Sequence, residues 1–280
     1  MSGTPGLPSP LTPEGRAGLD ALLADPGRAL VALDFDGTLS PIVADPAAAR
    51  AHPGAVPALR QVAAVVGTLA VITGRPAASA VELGAFQEVP GLTVLGHYGL
   101  ERWADGTLES PPSLPGVEAA RAELPALLAG AGAPDGTRIE DKGHAVAVHT
   151  RQADDPQAAL DRLRDPLSSL AARHGLAVEP GRMVIELRPQ GMDKGQALRA
   201  LAAQRQPSAV MFCGDDLGDV AAFGAVRALR GDGTPGLTVF SGSAEVTALA
   251  ETADLVVDGP DGVVALLGAL AAAAAAPQPG

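Results

Sequence analysis

The residues of this sequence that could act together in catalysis stand directly or shortly after short apolar segments. They comprise two carboxylates, a hydroxyl, a lysine and three further carboxylates, in chain order: Asp34 and Asp36, Thr73, Lys194, and Asp215, Asp216 and Asp219. Continuous apolar segments of this length are typical of strands that are buried on both faces of a parallel sheet. In such sheets, ligands bind beyond the carboxyl ends of the strands. We therefore expect these side chains to meet at one edge of a sheet.

Groups of this kind suit the transfer of a phosphoryl group. Several carboxylates on one rim repel each other unless a divalent cation neutralises them, and Mg²⁺ prefers hard oxygen ligands that leave positions open for water and phosphate. One carboxylate can attack phosphorus, and a second one, two residues along the chain, can protonate the leaving alcohol and then activate water. Thr73 and Lys194 supply groups that would bind the phosphoryl oxygens.

Each motif also has a structural interpretation when it is taken alone. Asp34 and Asp36 could cap a strand end at an Asp-Gly turn. Thr73 could begin a helix, and Asp219 could cap the helix that follows it. Lys194 is harder to explain in this way, because a helix start disfavours a cation unless an anion such as phosphate lies in front of it. The succession of four such motifs in one chain favours the functional interpretation.

Apolar segments alternate with helical patterns over most of the chain. The predicted strands are 29–34, 68–72, 92–95, 209–213, 237–240 and 255–257, and a further strand over 183–187 precedes Lys194. The predicted helices around them are 12–24, 57–66, 76–83, 193–203 and 219–229. Alternation of this kind implies right-handed crossovers and a parallel sheet that helices cover on both faces. The predicted fold class is therefore α/β, with a Rossmann-like core in three layers.

The middle of the chain follows a different order, which predicts an inserted α+β domain. The pattern there is helix, two strands, helix and strand, over 117–129, 137–140, 145–149, 156–174 and 176–179. Lys142-Gly143, between the two strands, is a hairpin signal. The predicted segments are an N-terminal extension and helix over 1–27, a first core part over 28–106, the inserted cap over 107–183, a second core part over 184–270 and a loose C-terminal tail over 271–280.

Composition and charge argue against a nucleic-acid-binding, membrane-bound or disulfide-linked protein. The 280 residues carry a formal net charge of −12, which disfavours nucleic acid and anionic membranes. The single cysteine cannot form an internal disulfide, and the N-terminus has no basic-then-apolar signal pattern. The longest apolar segment, 263–276, is shorter than the ~20 residues that a membrane-spanning helix needs. We expect a cytoplasmic protein and a monomer.

The motif order Asp-x-Asp-x-Thr, Thr, Lys and Gly-Asp-Asp-x-x-Asp is similar to that of the haloacid dehalogenase superfamily of phosphotransferases. The stretches 139–142, 148–151, 184–189 and 193–198 look like those of trehalose-6-phosphate phosphatases. The resemblance runs from about residue 29 to about residue 265. It implies a haloacid dehalogenase-like core with a cap, and Mg²⁺-dependent hydrolysis of a sugar phosphate, trehalose 6-phosphate, through an aspartyl-phosphate.

Carried onto this sequence, the resemblance implies a role for each motif. Asp34 is the implied nucleophile and Asp36 the implied general acid and base, while Thr73 and Lys194 hold the phosphate. The implied Mg²⁺ ligands and their supporting carboxylates are Asp34, the backbone carbonyl of Asp36, Asp215, Asp216 and Asp219. Substrate contacts are expected from positions of the cap and its hinge and from two core residues: Glu140, Lys142, Arg151, Glu186 and Arg188, and Arg75 and Glu101.

The sequence departs from the family pattern at three positions. Gly218 and Val220 stand where the family has Thr and Glu, and Tyr98 stands where the family has His. Two alternative functions stay open: the same chemistry on another sugar phosphate, of the sucrose or mannosylglycerate type, and a catalytically silent binding module with this fold. The intact catalytic set argues against the silent module. A functional link to a trehalose-phosphate synthase is a further implication of the resemblance.

Overall fold

The chain, seen in a computed structural model, divides into two compact units. The structure describes residues 6–43, 45–181, 183–242 and 247–276. The first unit comprises Met1–Ser110 and Asp193–Gly280, and the second comprises Pro111–Met192. The second unit therefore interrupts the first one in sequence.

Most of the strands and helices in the described ranges begin and end close to the bounds that the apolar periodicity predicts. The strands are β1 Leu30–Leu33, β2 Thr68–Ile72, β3 Leu92–Gly96, β4 Glu101–Ala104, β5 Thr107–Glu109, β6 Arg138–Asp141, β7 Val146–His149, β8 Leu176–Gly181, β9 Val184–Pro189, β10 Val210–Gly214, β11 Gly236–Ser241 and β12 Leu255–Val257. The helices are α1 Pro13–Ala24, α2 Ala55–Ala63, α3 Ala77–Gly84, α4 Pro115–Gly130, α5 Pro156–Arg173, α6 Lys194–Arg205, α7 Val220–Gly231, α8 Thr247–Ala250 and α9 Gly259–Ala274.

The first unit is built on a sheet with the strand order β12-β11-β10-β1-β2-β3-β4-β5. The strands from β12 to β3 are parallel, as the alternation of strands and helices predicts. β4 and β5 continue the sheet in antiparallel pairing and were not predicted, because Glu101 and Arg102 interrupt the apolar pattern. Asp105 and Gly106 join them in a tight turn, with φ angles of 49° and 78°.

Alternate residues of each central strand pack on opposite faces of this sheet. Because both faces are buried, these strands are continuous apolar segments in the sequence. In β1, Val31 and Leu33 pack in the layer of α1, α2, α3 and α9. Leu30 and Ala32 pack in the layer of α6 and α7. All four side chains are fully buried. Full burial of an aliphatic side chain contributes roughly 1.5–3 kcal/mol, so both helical layers hold the sheet. The predicted three-layer core is confirmed.

The second unit has its own antiparallel sheet, in the order β6-β7-β9-β8, with α4 and α5 packed on one face. Leu124 of α4 and Leu163 of α5 are fully buried in this packing. The predicted hairpin joins β6 to β7: the N–H of Lys142 donates to the carbonyl of Ala145 over 3.0 Å, and Gly143 has a φ of 80°. The opposite face of the sheet carries polar side chains.

Strand pairing sets the boundaries between the two units, and these differ from the predicted boundaries at residues 107 and 184. β5 pairs with β4 and belongs to the first unit. β9 pairs with β7 and β8 and belongs to the second unit. The sequence assigned β9 to the core because Lys194 follows it, but its hydrogen-bonding partners lie in the inserted sheet.

Helices α1 and α9 lie near the two ends of the described part of the chain. The hydroxyl of Thr12 caps α1 by accepting a hydrogen bond from the N–H of Gly15 over 3.0 Å, as the Thr-Pro-Glu pattern predicts. Because α9 continues to Ala274, the predicted loose tail is wrong for residues 271–274, and residues 277–280 lie outside the described part. None of the helices in the described ranges is long and apolar enough to cross a membrane.

Asp254, directly before β12, is a buried carboxylate that joins three elements of the first unit. It accepts hydrogen bonds from the hydroxyl of Thr12, from the guanidinium of Arg230 in α7, and from the N–H and hydroxyl of Thr238 in β11. Burial by itself raises the pKa of a carboxyl group. These hydrogen bonds, above all the one from Arg230, nevertheless hold the pKa of Asp254 below its ordinary value.

Replacing Asp254 with Asn should lower the free energy of unfolding by ~3 kcal/mol, because Arg230 then keeps a largely buried charge without its partner. Since the folded-state pKa of Asp254 is the lower one, its contribution is complete above about pH 4 and is lost as the pH falls through the folded-state value. Urea unfolding at neutral and at acidic pH measures both effects. The exposed Asp258→Asn variant is the matched control, and an equal loss in both variants would contradict this role.

Candidate active site

Three neighbouring parallel strands end at the predicted catalytic positions. Asp34 follows β1, Thr73 follows β2 and Asp215 follows β10, and β1 lies between the other two strands. Parallel strands bring their carboxyl ends to the same edge of the sheet. The expectation that the side chains of Asp34 and Asp215 lie close together is therefore confirmed.

The turn after Asp34 contains a glycine that lies very close to Asp215. Gly37 has a φ of 75°, and a Cβ atom built on it would lie 1.9 Å from Oδ2 of Asp215. The turn is closed by a hydrogen bond from the N–H of Gly37 to the carbonyl of Ser40 over 2.7 Å. The hydroxyl of Ser241, at the end of β11, donates to the carbonyl of Gly37 over 2.8 Å. The missing side chain thus allows the turn to pass beside the Asp215 carboxylate.

The carboxylate cluster consists of Asp34, Asp215 and Asp219. Each contributes an oxygen atom, and these atoms all lie within 4.8 Å of one another. The three residues are 4%, 2% and 0% exposed, respectively. Asp219 also fixes the backbone beside it, because its Oδ2 accepts from the N–H of Asp215 over 2.9 Å and from the N–H of Asp216 over 3.1 Å. The cluster is therefore both buried and held in place.

Lys194, the first residue of α6, lies against the carboxylate cluster. Its Nζ is 2.8 Å from Oδ1 of Asp34 and 2.8 Å from Oδ1 of Asp219. The helix begins at this point because the Asp193 carboxylate caps it, accepting from the N–H of Gln196 over 2.8 Å. Lys194 is 5% exposed, so its ammonium group depends on these carboxylates for compensation.

Burial and mutual repulsion raise the pKa values of the carboxylate cluster. Burial, followed by the charges of Asp219 and Asp216, raises the pKa of Asp215 to about 8. Burial also raises the pKa of Asp34 well above its ordinary value and that of Asp219 to a lesser degree, although Lys194 opposes both shifts. Burial would lower the pKa of Lys194, but Asp219 and Asp34 hold it well above its ordinary value. Further positive charge would therefore stabilise the ionised cluster.

The carboxylate cluster fits a divalent cation of the Mg²⁺ type. When ionised, its three carboxylates exceed the single charge of Lys194 by two, which one such ion would balance. Carboxylate oxygens are the donors that Mg²⁺ prefers. Asp216, another predicted metal residue, is exposed, and its carboxylate accepts from the N–H of Gly218 over 2.8 Å. The cluster therefore holds three of the five predicted metal residues.

The carboxylate of Asp36 has a different partner, Arg75. The guanidinium donates from Nε to Oδ2 over 2.7 Å and from Nη2 to Oδ1 over 2.6 Å, a two-point contact. Arg75 also donates to the carbonyl of Pro46 over 2.9 Å, and its guanidinium lies 5.5 Å from the centre of the Phe35 ring. Arg75, predicted to contact substrate, thus orients the predicted general acid in this structure.

Glu101, another predicted substrate residue, is tied to a helix start. Its carboxylate accepts from the N–H of Ala77, the first residue of α3, over 2.7 Å, and from the hydroxyl of Ser110 over 3.2 Å. The residue is buried at 8% exposure. A carboxylate at this position satisfies a backbone donor that the helix leaves open. A substrate contact for Glu101 stays a prediction.

The predicted cap residues share one face of the second sheet, which we name the polar face. The strand register places Glu140, Ala147, Glu186 and Glu179 in one row across the four strands. Residues in one row point to the same side of a sheet. The polar face carries Glu140, His149, Glu179, Glu186 and Arg188 by strand register, and Lys142 by its contact with Glu186. Arg151 follows β7 in an exposed turn and lies outside the strands.

Ion pairs organise the polar face. Nζ of Lys142 is 2.5 Å from Oε2 of Glu186, and Nη2 of Arg188 is 2.6 Å from Oε2 of Glu179. Glu186 is 8% exposed, and its other oxygen, Oε1, is buried with no hydrogen-bond partner among the described residues. An acceptor buried in this way is costly unless a ligand or water supplies a donor.

Several contributors to these sites were absent from the predicted site residues, among them Thr38 and Glu179. The buried hydroxyl of Thr38 donates to Oδ1 of Asp215 over 3.3 Å. Its signal was present, because Thr38 is the last position of the Asp-x-Asp-x-Thr motif. Glu179 has no such signal, because its contact with Arg188 depends on the register between β8 and β9.

Known proteins resemble this chain over most of its length. Residues 32–258 match the family model described as Trehalose-phosphatase. The trehalose-phosphate phosphatase of Mycobacterium marinum is 39% identical over 213 residues, covering 71% of this chain and 52% of that protein. The chain thus spans about half the length of the trehalose-phosphate phosphatases that it matches.

Two solved structures are similar in fold. The C-terminal domain of C. albicans trehalose-6-phosphate phosphatase has a TM-score of 0.74 at 21% identity, over 96% of this chain and 99% of that one. A haloacid dehalogenase-like hydrolase from Bacteroides thetaiotaomicron has a TM-score of 0.62 at 18% identity, over 86% of this chain and 98% of that one. The match to the family model includes the carboxylate cluster and Lys194. The chain has the haloacid dehalogenase fold and belongs to the trehalose-phosphatase family.

Proposed function

We propose that the chain is a Mg²⁺-dependent phosphatase that hydrolyses trehalose 6-phosphate to trehalose and phosphate. The observation that carries this proposal is the buried carboxylate cluster with Lys194 against it, beyond the ends of parallel strands. Such a site combines a nucleophile, a cation site and a charge for phosphoryl oxygens. Membership of the trehalose-phosphatase family supports the choice of substrate.

In the first step, a carboxylate oxygen of Asp34 attacks phosphorus. The bond between phosphorus and the sugar oxygen breaks, and its electron pair stays on that oxygen. Asp36 gives a proton to the same oxygen, so the sugar leaves as a neutral alcohol. Two hydrogen bonds from Arg75 hold the Asp36 carboxyl group in one orientation. The products are the free sugar and a phosphorylated Asp34.

In the second step, water attacks the phosphorus of phospho-Asp34. Asp36 accepts the proton of the water, and the bond between phosphorus and the Asp34 oxygen breaks to release phosphate. Thr73 and Lys194 hold phosphoryl oxygens in both steps, where fixed donors stabilise the developing charge. Asp34, Asp215 and Asp219 would hold Mg²⁺, which when bound neutralises the carboxylates and withdraws charge from the phosphoryl oxygens. The backbone carbonyl of Asp36 and the Asp216 carboxylate stay predicted contributors.

The polar face of the second unit is the proposed source of sugar selectivity. The phosphoryl group is the same in every sugar phosphate. The residues that bind it, Thr73 and Lys194, therefore cannot discriminate between sugars. Glu186 has a buried acceptor oxygen, Oε1, that sugar hydroxyls could satisfy. Lys142 and Glu140 add a donor and an acceptor on the same face. This combination suits a neutral polyol.

A functional link to a trehalose-phosphate synthase belongs to the same proposal, because such an enzyme would make the substrate. The monomeric state and the cytoplasmic location stay predictions. Light scattering coupled to size-exclusion chromatography tests the monomeric state. The same measurement with a candidate synthase added tests whether the two proteins associate.

Phosphate release from a panel of phosphoesters tests the proposed function. We expect trehalose 6-phosphate to be hydrolysed with the highest kcat/KM, no turnover in EDTA, and recovery on adding Mg²⁺. A preference for sucrose 6-phosphate or a mannosylglycerate phosphate would keep the chemistry and overturn the substrate. No turnover of any phosphoester with Mg²⁺ or Mn²⁺ would favour a silent binding module.

The variants Glu140→Ala and Lys142→Ala should each lower kcat/KM for trehalose 6-phosphate by about ten- to a few hundredfold. The reason is that each lost polar contact costs ~1–3 kcal/mol, and in Lys142→Ala the Glu186 carboxylate also loses its partner. Turnover of a small aryl phosphate should stay near the wild-type value. Arg164→Ala, an exposed change in α5 on the other face of the sheet, is the control. Equal losses on both substrates would mean that the pair supports the fold of the second unit instead.

A further inference from the structure

The turn between β3 and β4 has an unusual backbone. His97, Tyr98 and Gly99 have φ angles of 46°, 58° and 97° in succession. Residues with a side chain rarely adopt this left-handed conformation, and a tyrosine there is strained. Glycine at positions 97 and 98 would form the same turn at lower cost. The strain therefore indicates that the side chains at positions 97 and 98 have a use that glycine could not supply.

Hydrogen bonds join this turn to the Thr73-Gly74-Arg75 segment. The N–H of Tyr98 donates to the carbonyl of Thr73 over 2.9 Å, and the N–H of His97 donates to the carbonyl of Arg75 over 2.9 Å. The two bonds lie on either side of Gly74. The turn thus holds the backbone of a residue proposed to bind phosphate and of the residue that orients Asp36.

The side chain of Tyr98 fills the space beside Gly74. A Cβ atom built on Gly74 would lie 2.7 Å from the Tyr98 hydroxyl oxygen and 2.8 Å from Cζ. Only a glycine at position 74 lets the ring come this close. The same turn reaches α6, because a Cβ atom built on Gly99 would lie 2.8 Å from Cβ of Ala197, three residues after Lys194.

We propose that Tyr98 is a positioning residue for the phosphate-binding segment Thr73-Gly74-Arg75. Its ring packs beside Gly74 and supports the conformation of the segment, in which Oγ1 of Thr73 accepts a hydrogen bond from the N–H of Arg75 over 3.2 Å. The strained turn keeps the ring in place. The inference rests on the proposed phosphatase function, since it concerns the binding of the phosphoryl group. The proposal gives Tyr98 a role that the sequence motifs of the active site did not predict.

The sequence contains one tyrosine, so this position can be observed selectively. Protein labelled with 3-fluorotyrosine should give a single ¹⁹F resonance from position 98. We expect this resonance to shift on titration with inorganic phosphate in the presence of Mg²⁺, with the same midpoint as phosphate binding measured by calorimetry. In Thr73→Ala the shift should be largely lost. A resonance that does not move while calorimetry reports phosphate binding to the wild type overturns the proposal.

Substitution by glycine separates strain from function. Tyr98→Gly removes the ring and relieves the left-handed strain, so its melting temperature should equal or exceed that of Tyr98→Ala. Its kcat, for whichever phosphoester the wild type hydrolyses, should nevertheless fall at least about tenfold, because the phosphate-binding segment loses its support. Ala85→Gly is the matched control: Ala85 is also left-handed, with a φ of 52°, but it ends α3, so activity should be unchanged.

A double-mutant cycle with Thr73→Ala tests whether Tyr98 acts through Thr73. The double variant Tyr98→Gly/Thr73→Ala should lose clearly less activity than the product of the two single losses, because the hydroxyl that the ring helps to position is already gone. Losses that multiply, or a Tyr98→Gly variant within twofold of the wild type, overturn the proposal. Failure of the proposed function has a different signature: the wild type then hydrolyses no phosphoester, and the ¹⁹F titration with phosphate decides the role of Tyr98 independently.

Discussion

Asp34→Asn should reduce kcat for trehalose 6-phosphate by ~10⁴-fold or more while the protein stays folded. An amide cannot form the bond to phosphorus, and it removes one negative charge from the carboxylate cluster. Burial already raises the pKa of Asp34 well above its ordinary value, so this charge is unfavourable in the absence of a cation. The melting temperature in EDTA should therefore equal or exceed that of the wild type.

Phosphate release and thermal unfolding, each with EDTA and with Mg²⁺, measure both parts of this prediction. Intact-mass measurement after acid quenching adds a direct readout, because a phosphorylated chain should appear in the wild type during turnover and be absent in Asp34→Asn. Asp20→Asn, an exposed change on α1, is the control for activity and stability. Retained turnover in Asp34→Asn would rule out the covalent route.

Lys194→Met should be the most damaging single change for the stability of the site. It removes the ammonium that lies 2.8 Å from both Asp34 and Asp219, and leaves buried carboxylates against each other. Breaking a buried pair in this way costs ~3–5 kcal/mol, and losing a donor to the phosphoryl oxygens should lower kcat by ~10²–10³-fold. Protonation of the carboxylates would soften the stability loss at low pH.

Urea unfolding of Lys194→Met in EDTA and in Mg²⁺ tests this prediction. Mg²⁺ should recover part of the lost stability, because it supplies positive charge to the same cluster. Lys142→Met is the matched control, since Lys142 is the other lysine of the chain and has one carboxylate partner on a more exposed surface. A larger stability loss in Lys142→Met would contradict the electrostatic account of the cluster.

Prediction from sequence succeeded where a local pattern reflects burial on both faces of a sheet. β1 and β10 are uninterrupted apolar segments, and both lie in the middle of the first sheet. β4 was not predicted, because Glu101 and Arg102 interrupt the apolar pattern, although β4 continues the same sheet. β9 was found but assigned to the wrong unit, because an apolar segment does not encode which strand it pairs with.

In the candidate site, too, some neighbours were predictable from the sequence and others were not. Asp34 and Asp215 could be predicted to be neighbours, because the carboxyl ends of parallel strands lie at the same edge of a sheet regardless of side-chain conformation. The contacts of Asp36 with Arg75 and of Glu101 with the start of α3 were not predictable. They depend on the loop path and on side-chain rotamers, and neither of these leaves a periodic signal in sequence.

The two ends of the first sheet have a consequence for behaviour at high concentration. Its outermost strands are β12 at one end and β5 at the other, and each is three residues long. An edge strand invites pairing with another chain through its open backbone groups, and short or charged edges limit such pairing. β5 is exposed along its whole length and ends in Glu109. Each edge therefore offers little backbone for intermolecular β-pairing, which protects the large sheet from edge-to-edge aggregation.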